Sequence, residues 1–366
     1  MVGWRGWEWS WRGLLAAVLL SGPALAQEQV AEAQPVSPEA PEGVSTDVPA
    51  PKKAKKPKTE PLGENPDAAD DSKDERTLRV FGRVFARASA DQRDEYSRSL
   101  SLPSARVGVN AGFENIEAEV SADLSSKSLL KDAFVRIADG HKRLRLYAGQ
   151  FKAPFLAREL ESTWDLPLMD RGLVVGYLKD TNQLGGRRMG LMGEVRLKEA
   201  WNLKFSGGLF QGAKDETGQH TSEDASARVT VRPFKALTVG ASSYLTQVMA
   251  GTKQYAVATD GTLHLGALAL SGEAVTGRLG LGPFTAQLGL ISYLLPLTHD
   301  WALQPLAGAE ALQLHGDVVG RGWATVGGAN LLFSDAFKAQ LQAEHALRPG
   351  DEAPGTEYSL QLAMRF

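Results

Sequence analysis

Alternation of apolar and polar side chains constrains this chain more than any other feature. From residue 78 onward the helical period is weak, no apolar run approaches the roughly 18 residues of a membrane helix, and period two recurs throughout. In the first such segment, 78–89, Leu78 and Val80 lie on one face while Arg79 and Arg83 lie on the other. This pattern predicts two-faced β-strands, either in a sandwich with an apolar core or in a barrel that spans a membrane.

The N-terminus carries an export signal. Basic residues precede the apolar run 13–20, whose eight residues are too few for a membrane helix of about 20. The small residues Ala24 and Ala26 follow at the spacing that a signal peptidase requires. We predict a signal peptide over residues 1–26, cleaved after Ala26.

The segment that follows the signal, residues 27–76, is rich in Pro and has almost no aromatic or branched apolar residues. It contains one basic cluster and one acidic cluster, so it cannot bury enough apolar surface to offset the entropy of ordering. We interpret it as a disordered Pro/Lys-rich periplasmic spacer. The remaining residues, 77–366, form the predicted barrel domain.

The last residues also alternate, and they end on an aromatic side chain. Tyr358, Leu360, Leu362, Met364 and Phe366 share one face. This segment resembles the closing strand by which the barrel-assembly machinery of the outer membrane recognises its clients. Because lipid offers no partner for open backbone groups, a sheet in a membrane must close. The export signal and this strand therefore favour a barrel in the outer membrane of a Gram-negative cell over a sandwich.

The number of strands follows from the turn signals. Fifteen segments read as strands, but bacterial barrels normally have an even number. A short extra strand over 253–258, turning at Asp260 and Gly261, raises the count to sixteen, with fourteen as the alternative. Residues 90–103 are expected to form a loop outside the membrane. The third outside loop, 152–184, has 33 residues and is so apolar that it should pack against other parts of the chain.

Four motifs in order, LKDAF, GQFKAPF, DLPLMDR and GGRRMG, resemble the phosphate-selective porin O and P family, and the match covers roughly residues 79–212. The resemblance implies an all-β, sixteen-stranded transmembrane antiparallel barrel, often a homotrimer, whose third outside loop folds inward to form a basic constriction. It also implies passive diffusion of small anions, phosphate or polyphosphate among them.

Basic residues concentrate in the first half of the barrel. Residues 77–198 contain 20 Lys and Arg against 15 Asp and Glu, whereas residues 199–366 contain 11 against 15. Alternation and the loop assignment give the candidate pore-lining basic residues, which are Arg79, Arg83, Arg87, Arg106, Arg143, Arg145, Lys152, Arg158, Arg171, Arg187 and Arg188. The side chains of Arg136 and Arg196 are also predicted to face the lumen. Asp165 and Asp170 are predicted to anchor the loop to Arg side chains on the wall.

A different interpretation of the same charges stays open. Glu117, Glu119, Asp123, Asp132 and Glu194 share that wall. Each Arg that pairs with one of these carboxylates reduces the net positive electric field that acts on a solute in the lumen. The lumen would then be that of a non-selective general diffusion porin, or the loop would plug a non-conducting structural or adhesive barrel.

The sequence offers little for other functions. Six scattered His and no Cys leave no pattern for a metal site, and no cofactor is expected. No nucleophile or phosphate-loop motif occurs, so an enzyme is not predicted. The formal net charge of -3 argues against nucleic-acid binding.

Overall fold

The computed structural model describes residues 76–94, 97–212, 219–220, 223–247, 253–316 and 320–366. The predicted signal peptide and the predicted spacer up to residue 75 lie outside these residues. No helix in the described ranges has the length and apolar character needed to cross a membrane.

Antiparallel strands make up nearly all of the described structure. The strands are β1 Thr77–Asp91, β2 Ser97–Phe113, β3 Ile116–Asp123, β4 Leu130–Ala138, β5 Leu144–Lys152, β6 Arg187–Leu197, β7 Leu203–Gln211, β8 Glu223–Phe234, β9 Leu237–Gln247, β10 Lys253–Leu265, β11 Leu268–Leu279, β12 Gly282–Tyr293, β13 Leu295–Pro296, β14 Trp301–Leu314, β15 Gly320–Phe333, β16 Phe337–Leu347 and β17 Gly355–Arg365. Two short helices, α1 Ala157–Leu160 and α2 Gly172–Gly176, lie between β5 and β6, with a π-helical turn at Tyr177–Thr181 and a 3-10 turn at Gln92–Asp94.

The sheet closes on itself. Each strand pairs with its neighbours in sequence, and β1 pairs with both β2 and β17. The two residues of β13 continue β12 beyond Leu294 and pair with β14. The described residues therefore form a closed barrel of sixteen strands, which confirms the predicted fold class.

Opposite faces of the strands differ as the alternation predicts. On β5 and β6, Leu146 and Leu191 are exposed on the outside (65% and 67%), while Arg145 and Glu194, at inward positions of the same strands, are buried (2% and 3%). Apolar side chains on the outer surface suit hydrocarbon, and the charged groups find partners within the lumen.

The terminal aromatic residue takes part in closing the barrel. Gly82 on β1 and Phe366 exchange two backbone hydrogen bonds, of 2.9 and 3.0 Å. The ring of Phe366 covers Gly82, and a Cβ at residue 82 would overlap it. The absence of a side chain at Gly82 lets the last residue lie flat against the first strand.

Two connections differ from the sequence-based expectation. Asp260 and Gly261 lie inside β10 and not in a turn, because the Asp260 carboxylate receives two hydrogen bonds from Arg228 (2.7 and 2.9 Å) across the ladder. The chain instead turns after Leu265, at Gly266, whose φ is +63°. The predicted loop over 90–103 is mostly strand, since β1 extends to Asp91 and β2 begins at Ser97.

The two rims of the barrel carry connections of different length. The short-turn rim contains the turns 114–115, 139–143 and 198–202, and the long-loop rim contains the connection 153–186. In the turn between β4 and β5, the backbone N–H of Leu144 donates to the Asp139 carboxylate (2.7 Å), and this hydrogen bond lowers the pKa of Asp139.

Candidate functional site

The connection 153–186 between β5 and β6 contacts the inner faces of strands across the barrel. Near its start, the backbone N–H of Ala157 donates to Glu273 on β11 (2.8 Å). At its middle, the carbonyl of Pro167 accepts hydrogen bonds from three side-chain amides of β15 and β16, those of Asn330, Gln340 and Gln342. These hydrogen bonds hold the connection against the inner wall of the barrel at several positions.

The strongest of these attachments is a buried ion pair. Arg158 donates to Glu310 on β14 at 2.5 Å, and both side chains are 5% exposed. Glu310 also accepts from the backbone N–H of Val174 at 2.8 Å. Gly172 lies directly beside Glu310 with φ +86°, and a Cβ there would overlap the carboxylate. Glycine is therefore required where the segment approaches this carboxylate.

Apolar packing fills the lumen on the side of β9 to β14. Phe155, Leu156, Val174, Val175 and Leu178 of the connection are almost completely buried. They belong to one cluster with Phe151 on β5, Phe210 on β7 and inward-facing side chains of β9 to β14, which are Tyr244, Ala256, Ala258, Val275, Leu279, Phe284, Ala286, Leu288, Leu312 and Leu314. Open space in the lumen is consequently displaced toward β1 to β8.

A cavity of about 360 Å³ occupies that side, and its charged lining is predominantly basic. Eleven basic side chains line it, namely Arg79, Arg83, Arg106, Arg136, Lys152, Arg171, Arg187, Arg196, Lys204, Arg228 and Arg365. Four acidic side chains line it, namely Glu117, Glu119, Asp132 and Glu194. Pairing each of the four acids with one cation would leave seven lining cations without a counter-charge in the lining. Three of these seven, Arg171, Arg228 and Arg365, lie beside carboxylates outside the lining, which are Glu159, Asp260 and Asp165.

Toward the long-loop rim, two guanidinium groups share one carboxylate. Arg187 donates to both oxygens of Asp132, at 2.9 and 3.0 Å, and Arg106 binds Asp132 from β2. Glu119 lies 3.9 Å from Arg106. We call Arg106, Asp132 and Arg187 the Asp132 cluster; its formal charge of +1 is offset by the neighbouring Glu119.

Toward the short-turn rim, three cations share a second carboxylate. Glu194 is 3% exposed and lies 2.6 Å from Arg196, 3.1 Å from Lys204 and 3.4 Å from Arg145. We call these four residues the Glu194 cluster. Because one carboxylate balances three cations, this cluster also has a positive net charge.

Two arginines on β1, Arg79 and Arg83, lie apart from the carboxylates of the described residues. Among the residues that the structure describes, no carboxylate lies within 4 Å of Arg79 or Arg83. Arg83 donates to the hydroxyl of Ser104 at 3.3 Å and lies 5.2 Å from the centre of the Phe85 ring. Their charge is therefore available to a solute in the cavity.

Six of the eleven predicted basic residues line the cavity, and they are Arg79, Arg83, Arg106, Lys152, Arg171 and Arg187. Lys152 donates to the carbonyls of Leu160 and Glu161, and Arg171 lies 3.0 Å from Glu159, so both stabilise the connection as well.

The other five predicted residues lie outside the lining of this cavity. Arg143 is 57% exposed at the short-turn rim beside Glu199, and Arg145 is buried behind Glu194. Arg158 is buried against Glu310. Arg87 and Arg188 donate to groups of the connection, Asp170 and the carbonyl of Gln183.

The two acidic residues predicted as anchors contact basic side chains of the wall. Asp170 accepts from Arg87 at 2.6 and 3.2 Å, and Asp165 lies 4.0 Å from Arg365. Sequence reasoning missed three lining residues, Lys204, Arg228 and Arg365. The alternation that identified the inward residues of β1 to β6 would have found them if applied to β7, β8 and β17.

Comparison with known proteins agrees with this architecture. Residues 79–267 match the family model "Phosphate-selective porin O and P". A search of curated proteins finds no match. Among solved structures, the chain resembles an anion-selective porin from Comamonas acidovorans at 11% identity and a TM-score of 0.60, over 80% of this chain and 100% of that one.

Two further solved structures have the same fold. OmpF of Salmonella typhi, in complex with daunomycin, aligns at 12% identity and a TM-score of 0.61 over 79% of this chain and 97% of that one. OmpT of Vibrio cholerae, an outer membrane protein described in a trimer form, aligns at 11% identity and a TM-score of 0.59 over 80% and 100%. At these identities the likeness shows the fold alone.

Proposed function

Because the chain belongs to the phosphate-selective porin O and P family, we propose that it is an outer-membrane porin whose lumen favours small anions. The family and the barrel fold indicate a channel and not an enzyme. The anion preference is supported by one observation above all, the eleven basic and four acidic side chains that line the cavity.

The sharing of carboxylates strengthens this charge argument. Around the Asp132 and Glu194 clusters, five cations contact three carboxylates, Asp132, Glu119 and Glu194, which leaves a formal excess of two positive charges. A unit charge 4 Å from an anion contributes about 1 kcal/mol in water and about 4 kcal/mol at an effective dielectric constant of 20. Several such charges along one wall favour anions over cations throughout the cavity.

Phosphate and polyphosphate are the solutes that the family description suggests. A guanidinium group offers a planar pair of donors that fits phosphate oxygens, and it remains charged at physiological pH. The connection 153–186 would form the constriction, since its own Arg171 and Trp164 lie in the cavity lining.

The test is a current measurement on the purified protein in planar bilayers. In a KCl gradient, the zero-current potential should have the sign that reports preferential chloride flux, and phosphate should compete with chloride for the lumen. A potential of the opposite sign would refute the anion preference and leave the barrel intact. A potential near zero would indicate a general diffusion porin, and a lack of conductance would indicate a structural barrel.

Assembly and export are part of the same proposal. We expect a homotrimer in outer-membrane lipid, inserted by the barrel-assembly machinery through the C-terminal strand. Chemical cross-linking in membranes should give a trimer as the largest species. N-terminal sequencing of the mature protein should begin at Gln27, and a retained segment 1–26 would contradict the predicted cleavage.

A further inference from the structure

The cavity wall contains an aromatic patch that an inorganic anion does not need. Phe134 on β4, Tyr147 on β5 and Met192 on β6 are partly buried and line the cavity. Phe151 on β5, which is 5% exposed, also lines it and belongs to the apolar cluster against which the other three pack. The ring centres of Phe134, Tyr147 and Phe151 lie 5.7 to 5.9 Å apart. Gly149 lies opposite Phe134 in the ladder with φ +127°, and a Cβ there would overlap the backbone of Ala133 and Phe134, so glycine allows the two strands to approach closely beside the rings.

The aromatic patch lies between the two charged clusters along the barrel axis. On β4, Asp132, Phe134 and Arg136 are successive inward positions, and positions two residues apart on a strand are about 6.6 Å apart. On β6, Arg187 begins the strand, Met192 follows and Glu194 comes next on the inner face. The wall therefore presents a basic level, an aromatic level and a second basic level in order.

This order determines which solute gains most from the wall. Chloride and phosphate keep a hydration shell and gain little from an apolar surface, whereas a flat ring gains from contact with rings and with a thioether. Apolar groups at a wet surface are typical of a binding site for a ligand that is partly apolar. A ring with an anionic group can use the patch and a neighbouring cluster together.

We propose that the lumen preferentially takes up small organic anions that carry an aromatic ring, with aromatic carboxylates as the substrate class. The ring lies on Phe134 and Tyr147 while the carboxylate binds Arg106 and Arg187, and the carboxylate then moves to the Glu194 cluster as the solute advances. The inference deepens the proposed function and rests on its basic lumen. No covalent step is involved.

Three small probes distinguish the contribution of an aromatic ring from the contribution of a negative charge. Benzoate, acetate and benzyl alcohol are added to a wild-type channel that conducts chloride, and the concentration that halves the chloride current is measured for each. Contact of a phenyl ring with the patch should make benzoate effective at a concentration about tenfold lower than acetate. Benzyl alcohol, which has the ring without the charge, should be weaker than benzoate.

A matched pair of variants locates the effect. Phe134→Leu removes a ring from the patch and keeps an apolar side chain of similar size, while Phe205→Leu makes the same change on the outer face of β7, where Phe205 is 47% exposed. Phe134→Leu should reduce the advantage of benzoate over acetate several-fold. Phe205→Leu should leave it unchanged.

The outcomes distinguish this inference from the proposed function. Equal effects of benzoate and acetate on a wild-type channel that is anion-selective in a KCl gradient would overturn the aromatic class and leave the anion porin standing. A cation-selective potential would overturn both. An advantage of benzoate that Phe134→Leu and Phe205→Leu reduce equally would also overturn the inference, because the ring would then act elsewhere than on the patch.

Discussion

Replacing Arg83 by Gln should lower the anion preference of the channel without weakening the barrel. Arg83 lines the cavity, and its only hydrogen bond among the described residues is to the hydroxyl of Ser104, at 3.3 Å. Loss of its charge therefore leaves no buried carboxylate without a partner, which is the usual cause of large destabilisation in such substitutions. A change in selectivity can thus be separated from misfolding.

The size of the effect follows from Coulomb's law. A unit charge 4 Å from an anion in a wet lumen is worth about 1 kcal/mol, so removing it should reduce the chloride-to-potassium permeability ratio about fivefold. The ratio is obtained from the zero-current potential in a KCl gradient. Heat-modified migration on a gel should match that of the wild type, since the fold is expected to remain intact.

Arg143→Gln provides the matched control for Arg83→Gln. Arg143 is 57% exposed at the short-turn rim and lies 3.0 Å from Glu199, which is 70% exposed. Solvent screens a charge at this place, so the same loss of one positive charge should change the permeability ratio little. Equal changes in Arg83→Gln and Arg143→Gln would refute the assignment of selectivity to the cavity.

Three further predictions concern the connection, the closure and the ionic strength. Glu310→Gln leaves the buried Arg158 without its counter-charge, at a cost of about 3 to 5 kcal/mol, and should increase single-channel noise and protease cleavage within 153–186. The double variant Arg158→Met with Glu310→Gln removes the unpaired charge and keeps an oxygen that accepts from the backbone N–H of Val174, so it should restore quiet channels. Gly82→Val should lower the temperature at which the barrel unfolds on a gel, because a valine side chain at residue 82 would overlap Phe366. Gly327→Val, at a position where a Cβ meets no other atom, should leave that temperature unchanged. Equal effects of the two substitutions would contradict the closing role of Phe366. Raising the salt from 0.1 M to 1 M shortens the screening length from about 10 Å to about 3 Å, so the anion preference should fall, and a preference independent of salt would argue against a field effect.

The inward and outward faces of the strands in the first half of the barrel were predictable, because the direction of a side chain on a strand depends only on its position along that strand. Leu146 lies outside and Arg145 inside for the same reason that alternate residues on any strand face opposite ways. Arg79, Arg83 and Arg106 were predicted on this basis and line the cavity, whereas Lys152, Arg171 and Arg187 were predicted from the loop assignment. Turn chemistry was less reliable, since Asp260 and Gly261 fit a tight turn but Asp260 pairs with Arg228, 32 residues away in sequence.

Pairing among the charges could not be predicted from local pattern. Arg83, from the alternation, and Arg158, from the loop assignment, were both basic candidates, yet Arg83 lines the cavity and Arg158 is buried against Glu310, 152 residues later. Which carboxylate meets which guanidinium depends on how strands far apart in sequence approach across the lumen. The same is true of Asp132, whose two partners come from β2 and β6.

The sequence by itself determined the strands, their two faces and the closure of the sheet, because a side-chain period of two and the lack of backbone partners in lipid act on each segment separately. Only the tertiary structure decided where the lumen is open. The connection 153–186 packs against β9 to β14 and leaves the cavity beside β1 to β8, where the basic levels and the aromatic patch meet. That outcome depends on contacts between residues more than 100 positions apart, and no local pattern records them.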